Sequence, residues 1–386
     1  MKNILSLAIV FSLAAACGSD KDSSKLQSLP FTCLGENATH KYFDDSQKDY
    51  LKGLIDNSGI KNLIVLGDSM SDTGNLGRKT FDLVVPKCNY WQNRFSNGPV
   101  WNEYVSGGMG ISLKNYAVGG AGTSREIDGG ILSWLKYLNP LQIENTFRDL
   151  ILTSLEDQVT SFKHDLFLHK VVASPSNTII AVWSGPNNYF AHSKDVESNG
   201  KINEAAARKL VDGTVSDIQK SVKKIAELGY KRIIVGNMPS LQGLPPDPSG
   251  LINLASDATM TFLSDYHNSK IEALVKDLRA SGLDVIIFHS QEINDKVIKN
   301  MNRYGFSGFG PCYSGNVIGF DPVKFKPSFC SEPLRQRSWD HPHPNTRMHC
   351  IYASQWVDDV RNAGWINGGS DFVDKCVAMR TKSGEE

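Results

Sequence analysis

The chain has no excess of either charge: 41 Lys and Arg balance 41 Asp and Glu, for a formal net charge of zero. Without a basic stripe, a nucleic-acid partner is not expected, although a flat charge balance leaves a neutral lipid surface open. It has no C-x-x-C spacing, so a structural metal is not expected either, and nothing in the chain asks for a cofactor. There is no internal repeat, and beyond the N-terminal segment no apolar run is long enough to cross a bilayer. What remains is an ordinary globular composition over 386 residues, enough for one large domain or two.

The N-terminus reads as a targeting segment. Met1-Lys2-Asn3 is a short basic start, and Ile4 to Ala16 is apolar and small, too short to span a bilayer but suited to a signal peptide over residues 1–16. The run Leu13-Ala-Ala-Ala16-Cys17 resembles a bacterial lipoprotein signal, in which Cys17 becomes the lipidated first residue; ordinary signal cleavage is the alternative. Residues 17–30 follow as a polar tether. The seven cysteines are an odd number for an exported chain, and setting Cys17 aside leaves an even six. Those six allow fifteen pairings. Cys312–Cys330 is preferred because it closes a Gly- and Pro-containing loop, with Cys33–Cys88 and Cys350–Cys376 following by order alone. The expected location is outside the cytoplasm: a bacterial outer-membrane lipoprotein, or a periplasmic or secreted protein.

Between residues 31 and 380, strand and helix signals alternate. Strands are predicted at 62–66, 112–117, 178–182, 232–236 and 284–288. Helices are predicted at 142–163, around Val211 to Ile225 with a stop at Gly229, and at 254–281. This alternation argues an α/β fold of three layers, a five-stranded parallel sheet with helices on both faces, organised as a single domain. Three stretches look inserted. Residues 76–104 carry Tyr90, Trp91, Phe95 and Trp101, which either line a pocket or pack a loop onto the sheet. Residues 237–250 leave the fourth strand and should form a rim loop. Residues 302–338, with two cysteines, act as a lid or a brace.

The chemistry concentrates at Ser69. It lies two residues past Gly67, at the tip of the first strand, where open α/β sheets place ligands. A serine hydroxyl is a weak nucleophile until an adjacent base takes its proton, and histidine suits that task. Asp340-His-Pro-His343 supplies a carboxylate and an imidazole three apart, on one side of a turn. His341 and His349 are rivals; His341 follows Asp340 directly and faces elsewhere. The G-x-S-x-G elbow is absent, because Gly67-Asp-Ser69-Met-Ser71 ends in serine. Two further loops can supply an oxyanion hole: Gly119-Gly120 after the second strand, and Gly185-Pro-Asn187 after the third. Asp72 is read as a hydrogen-bond acceptor for the loop after Ser69. Trp183 and Trp339 are read as core.

These blocks, Gly67-Asp-Ser69-Met70 with Asp72-Thr-Gly-Asn75, Asn115 to Ala121, Gly185-Pro-Asn187-Asn188 and Trp339-Asp340-His-Pro-His343-Pro344, resemble in order those of the GDSL lipase/esterase family, or SGNH hydrolases. The resemblance spans roughly residues 60 to 350 and implies a flavodoxin-like sheet. It implies Ser69 as nucleophile, His343 as base with Asp340 as its partner, and Ser69 N–H, Gly120 N–H and the Asn187 side chain as oxyanion donors. Two positions depart from the pattern. Met70 replaces a leucine, a nearly volume-conserving swap. Asn188 replaces an aspartate, which puts in question whatever support that aspartate gives.

The segment Tyr90-Trp91 to Trp101 looks most like the branch of secreted bacterial phospholipases, lysophospholipases and glycerophospholipid–cholesterol acyltransferases. A lipid or other ester is therefore the expected substrate, met at a membrane surface through the anchor at Cys17. Acyl transfer to a sterol or another alcohol, carbohydrate O-deacetylation, and a non-enzymatic surface lipoprotein that keeps the fold for binding remain as alternatives.

Overall fold

Four apolar runs and one more polar edge segment become the strands of one parallel sheet: β1 (Asn62–Gly67), β2 (Ser112–Asn115, the polar edge), β3 (Thr178–Trp183), β4 (Ile233–Gly236) and β5 (Val285–Phe288). The computed structural model describes residues 51–80, 84–85, 87–125, 153–244, 254–315 and 328–380. The expected signal peptide, the tether, Cys17 and Cys33 lie outside the described residues.

The strands run in the order β2-β1-β3-β4-β5, every neighbouring pair parallel. Successive residues point to opposite faces. Leu63, Val65, Ile179, Ala181, Ile234, Ile286 and Phe288 enter one core. Ile64, Leu66, Ile180, Val182, Ile233, Val235 and Val285 enter the other. Both faces are covered, which is why the strands other than the polar edge strand β2 read as continuous apolar runs rather than as alternating patterns.

The helices are α1 (Asn75–Lys79), α2 (Trp101–Met109), α3 (Leu155–Phe167), α4 (Pro186–His192), α5 (Glu204–Glu227), α6 (Asp257–Ala280), α7 (Ser290–Lys299), α8 (Thr346–Asn362) and α9 (Phe372–Val377). α2, α7, α8 and α9 bury their apolar stripes against the first face. α3, α5 and α6 cover the second, with Val211, Val215, Ile218, Val222 and Ile225 of α5 in that core. Three layers result.

Several predicted boundaries move: the helix predicted at 254–281 runs Asp257–Ala280, and two other shifts have a visible cause. The helix expected over 142–163 begins at Leu155, and the part of that prediction before residue 153 lies outside the described residues. Ser154 sets the start: its hydroxyl accepts the Asp157 N–H, and the Asp157 carboxylate accepts the Ser154 N–H, a reciprocal cap. β2 ends at Asn115 rather than 117, because the Asn115 side-chain oxygen accepts the Ala117 N–H at 2.8 Å and bends the chain.

Cys312–Cys330 and Cys350–Cys376 are both bonded; the second ties α8 to α9. Cys88 is disulfide-bonded as well, while its expected partner Cys33 is outside the described residues. No helix among the described residues is long and apolar enough to cross a membrane.

β1 is followed by β2 on one side and β3 on the other. This reversal of strand order opens a crevice at the C-terminal ends of β1 and β3, the position where open α/β sheets receive ligands.

Candidate active site

Ser69 follows β1 into that crevice. Its turn is held from several sides. Ser71 N–H donates to the Asp68 carbonyl at 3.0 Å, and Met70 N–H to Asp68 Oδ1 at 3.0 Å. Trp101 Nε1 donates to Ser71 Oγ at 3.0 Å, and Asn102 Nδ2 to the Ser71 carbonyl at 2.8 Å. Asp72 takes the role expected of it: its carboxylate accepts the N–H groups of Asn75, Leu76 and Gly119. Burial pushes the Asp72 carboxyl up, against the pull of those three donors.

The C-terminal segment arrives from the loop that precedes α8. Asn345 caps that helix by accepting the Met348 N–H at 2.8 Å, and its amide nitrogen donates to the carbonyls of Pro333, Leu334 and Gln336. Just before the cap, His343 Nε2 lies 2.8 Å from Ser69 Oγ. His343 Nδ1 donates to Asp340 Oδ1 at 2.7 Å, which leaves Nε2 to accept from the serine. The His343 backbone N–H also donates to Asp340 Oδ1, at 2.8 Å. Ser69, Asp340 and His343 are each at most 6% exposed.

Sequence reasoning missed the next partner. Tyr90 O–H donates to Asp340 Oδ2 at 2.8 Å. The two residues are 250 positions apart, and no spacing links them. Of the two readings held for the aromatics of residues 76–104, packing wins: Tyr90, Trp91, Phe95 and Trp101 are all buried. Their packing serves the site nonetheless. The Phe95 ring lies 4.6 Å from the His343 ring, centre to centre. Ser96 Oγ donates to the Pro344 carbonyl, and Asn97 Oδ1 accepts the Thr346 N–H. The stretch is also less loop-like than expected, since it contains most of α1 and the start of α2.

The glycine pair makes room for this arrangement. A Cβ on Gly119 would meet the Phe95 ring at 2.2 Å. Gly119→Ala is therefore expected to displace Phe95 from His343 and to cost about 1–3 kcal/mol, measurable by denaturant unfolding; unchanged stability would contradict the close contact. Gly120 adopts the left-handed conformation at φ 78°. Ala121 follows, and its carbonyl accepts from Asn187 Nδ2 at 3.0 Å. That bond uses one of the two amide protons and fixes the side chain, leaving the other proton for a ligand. Asn188 has its own support: its amide donates to Thr123 Oγ1 at 2.7 Å and Thr214 Oγ1 at 2.9 Å, and its oxygen accepts the Thr123 N–H. The departure from aspartate leaves no gap there.

Neither rival histidine is hydrogen-bonded to Ser69. His349 is buried in α8, and burial, helped by the nearness of His343, pushes its pKa down to about 3. His341 is buried, with neither ring nitrogen hydrogen-bonded. Trp339 is core, as expected. Trp183 is buried too, but its edge also faces the cavity.

One cavity contains Ser69, His343 and Asn187 together. Its walls are mostly apolar: Met70, Trp183, Phe190, Met238, Leu241 and Leu244. Residues 238–241 and 244 come from the loop after β4, so its described part is the rim that was expected. The described part of 302–338 serves as a brace, in which Tyr313 packs on Tyr90 and accepts from Asn89 Nδ2. Among the described residues no cluster of three or more His, Cys, Asp or Glu side chains is arranged to hold a metal.

Asp68 is a second feature that sequence reasoning passed over. It lines the cavity at 2% exposure, and its Oδ2 has no hydrogen-bond partner. Desolvation pushes its pKa up to about 7. In the unfolded chain this carboxyl ionises near the usual value of 3.8. Between those two values the folded protein holds the proton and the unfolded chain does not, so stability falls as pH rises toward neutrality. The full penalty, on the order of 4 kcal/mol at most, applies above the folded value. Asp68→Asn removes it. The Tm difference between Asp68→Asn and the native protein should therefore widen from about pH 5 to about pH 8; a constant difference would show that Asp68 ionises normally.

Residues 63–356 match the GDSL-like Lipase/Acylhydrolase family. The chain belongs to that family. It is 26% identical over 263 residues to phosphatidylcholine-sterol acyltransferase of Aeromonas hydrophila, an overlap covering 66% of this chain and 66% of that protein. It is 23% identical over 310 residues to thermolabile hemolysin of Vibrio parahaemolyticus, covering 78% and 64%. The matched region thus spans just under two thirds of the length of each of these relatives. Phospholipase A1 from Streptomyces albidoflavus superposes with a TM-score of 0.37 and 11% identity, over 79% of this chain and 99% of that one. Within this GDSL chain the first, third and last sequence blocks line the cavity; the second, whose Gly120 is not among the lining residues, is tied to them through Gly119 N–H on Asp72 and Asn187 on the Ala121 carbonyl.

Proposed function

We propose that this chain is an exported serine esterase or lipase that hydrolyses carboxylic esters of lipids, in the manner of a phospholipase A or lysophospholipase. The observation that carries the reading is the 2.8 Å contact between Ser69 Oγ and His343 Nε2 inside a mostly apolar cavity. In this mechanism Ser69 Oγ attacks the ester carbonyl carbon while His343 Nε2 takes the hydroxyl proton. Asp340 holds the imidazole in the tautomer that permits this and stabilises the imidazolium. Charge gathers on the former carbonyl oxygen, where Ser69 N–H, Gly120 N–H and Asn187 Nδ2 act as donors. The ester C–O bond then breaks, His343 returns the proton to the leaving alcohol, and the acyl group remains on Ser69. Water attacks next with His343 again as base, releasing the fatty acid and restoring the hydroxyl. Export, lipidation of Cys17 and contact with a membrane surface belong to the same proposal.

The relative named as a phosphatidylcholine-sterol acyltransferase favours a second reading. There an alcohol rather than water attacks the acyl-enzyme. Incubation with defined phospholipids and lysophospholipids, with and without sterol, separates the two: free fatty acid marks hydrolysis, and steryl ester marks transfer. A chain-length series of p-nitrophenyl esters tests the lipid assignment, because activity confined to acetate would place the protein with the deacetylases instead.

Asn187→Ala is expected to lower kcat by about a hundred- to a thousand-fold with little change in KM, since the amide serves the charged intermediate more than the bound ester. A rise in KM at constant kcat would remove Asn187 from that role.

A further inference from the structure

Arg337 shares the cavity with Ser69 and His343. Its backbone is fixed, donating to the Gly308 carbonyl and accepting from the Asn345 N–H, each at 2.9 Å. Its side chain hydrogen-bonds neutral groups. One terminal nitrogen donates to Asn294 Oδ1 and the other to Ser338 Oγ at 3.4 Å. Tyr352, which also faces the cavity, is close enough for the guanidinium to oppose the burial that pushes its phenol up to about 12. Arg337 Nε is buried and has no hydrogen-bond partner. No carboxylate among the described residues forms an ion pair with this guanidinium.

A guanidinium is always charged and carries five N–H donors in a fixed fork. Half-burying one against neutral partners, with a donor left unmet, is costly unless an anion completes it. The fork matches the paired oxygens of a phosphate. Asp68, the one carboxyl among the cavity's lining residues, has its pKa pushed up to about 7 by burial, so it is mostly neutral below that pH and repels a bound anion less than an ordinary carboxylate would.

We propose that Arg337 forms an anion subsite in the catalytic cavity that receives the phosphodiester on the alcohol side of a glycerophospholipid ester. This rests on the hydrolase reading above and adds the group that selects phosphate-bearing lipids over neutral glycerides.

The test compares the native protein with Arg337→Gln and Arg337→Lys on lysophosphatidylcholine and on monoacylglycerol of the same acyl chain. The readout is the ratio of the two kcat/KM values, which does not depend on how much of each preparation is folded. Losing a charge-assisted hydrogen bond should lower this ratio by about tenfold or more in Arg337→Gln, with Arg337→Lys between. A non-hydrolysable ether analogue of lysophosphatidylcholine, used to inhibit p-nitrophenyl butyrate hydrolysis, should likewise bind the Gln variant about tenfold more weakly. An unchanged ratio in active protein, or native protein that hydrolyses the glyceride but not the lysophospholipid, overturns the subsite and leaves the hydrolase reading standing. Inhibition by inorganic phosphate that disappears in Arg337→Gln, with the lipid ratio unchanged, assigns the site to free phosphate and overturns the headgroup assignment. Native protein inert to every ester overturns the hydrolase reading itself.

Discussion

Replacing Ser69 by alanine is expected to lower kcat by about four to six powers of ten. The hydroxyl oxygen is the atom that would bond the acyl carbon, and no neighbour substitutes for it. Ser71 is spent on Trp101, and its carbonyl on Asn102. The change deletes one atom whose partner, His343 Nε2, faces the cavity, so folding should be nearly unaffected. The residual rate would come from the oxyanion donors and from binding. Product formation by Ser69→Ala at the native rate, on phospholipid or on p-nitrophenyl ester, would refute the mechanism.

Asp340→Asn is expected to cost about ten-thousand-fold in kcat while the fold persists. The two carboxylate oxygens accept three donors: His343 Nδ1–H, His343 N–H and Tyr90 O–H. An asparagine offers one acceptor and a pair of donors. If its NH2 faces His343, the ring must take the other tautomer, placing a proton on Nε2 where it confronts Ser69. If its oxygen stays toward the ring, Tyr90 can rotate to accept from the amide, but the negative charge that stabilises the imidazolium is gone. Either way the base is weakened. A fall of less than about tenfold would mean that Asp340 only packs the loop.

The sheet was legible because parallel strands buried on both faces are continuous apolar runs, and Leu63–Leu66, Thr178–Val182 and Ile233–Gly236 are short enough, and alternate regularly enough with helical patterns, to read as such strands. The juxtaposition of Ser69, His343 and Asp340 was legible because each lies in a short local pattern whose expected chemistry calls for the others. Asp72, Cys312–Cys330 and Cys350–Cys376 followed from local loops and chain order. What escaped was set by packing between distant segments. Nothing near Tyr90 announces that its hydroxyl reaches Asp340, and nothing near Asp68 announces its loss of solvent. Helix and strand ends moved where a side chain bonded the backbone: Ser154 at the start of α3, Asn115 at the end of β2. The aromatic stretch was ambiguous because apolar residues that line a cavity and those that pack behind one look the same in one dimension.

The most direct measurement of the central claim is mass spectrometry of the protein quenched in acid during turnover of a slow ester, with peptide mapping of any added mass. The account predicts one acyl group, carried by Ser69 and absent from Ser69→Ala. Acylation at a different residue, or turnover with no covalent acyl-enzyme in protein that a fluorophosphonate also fails to label, would contradict it.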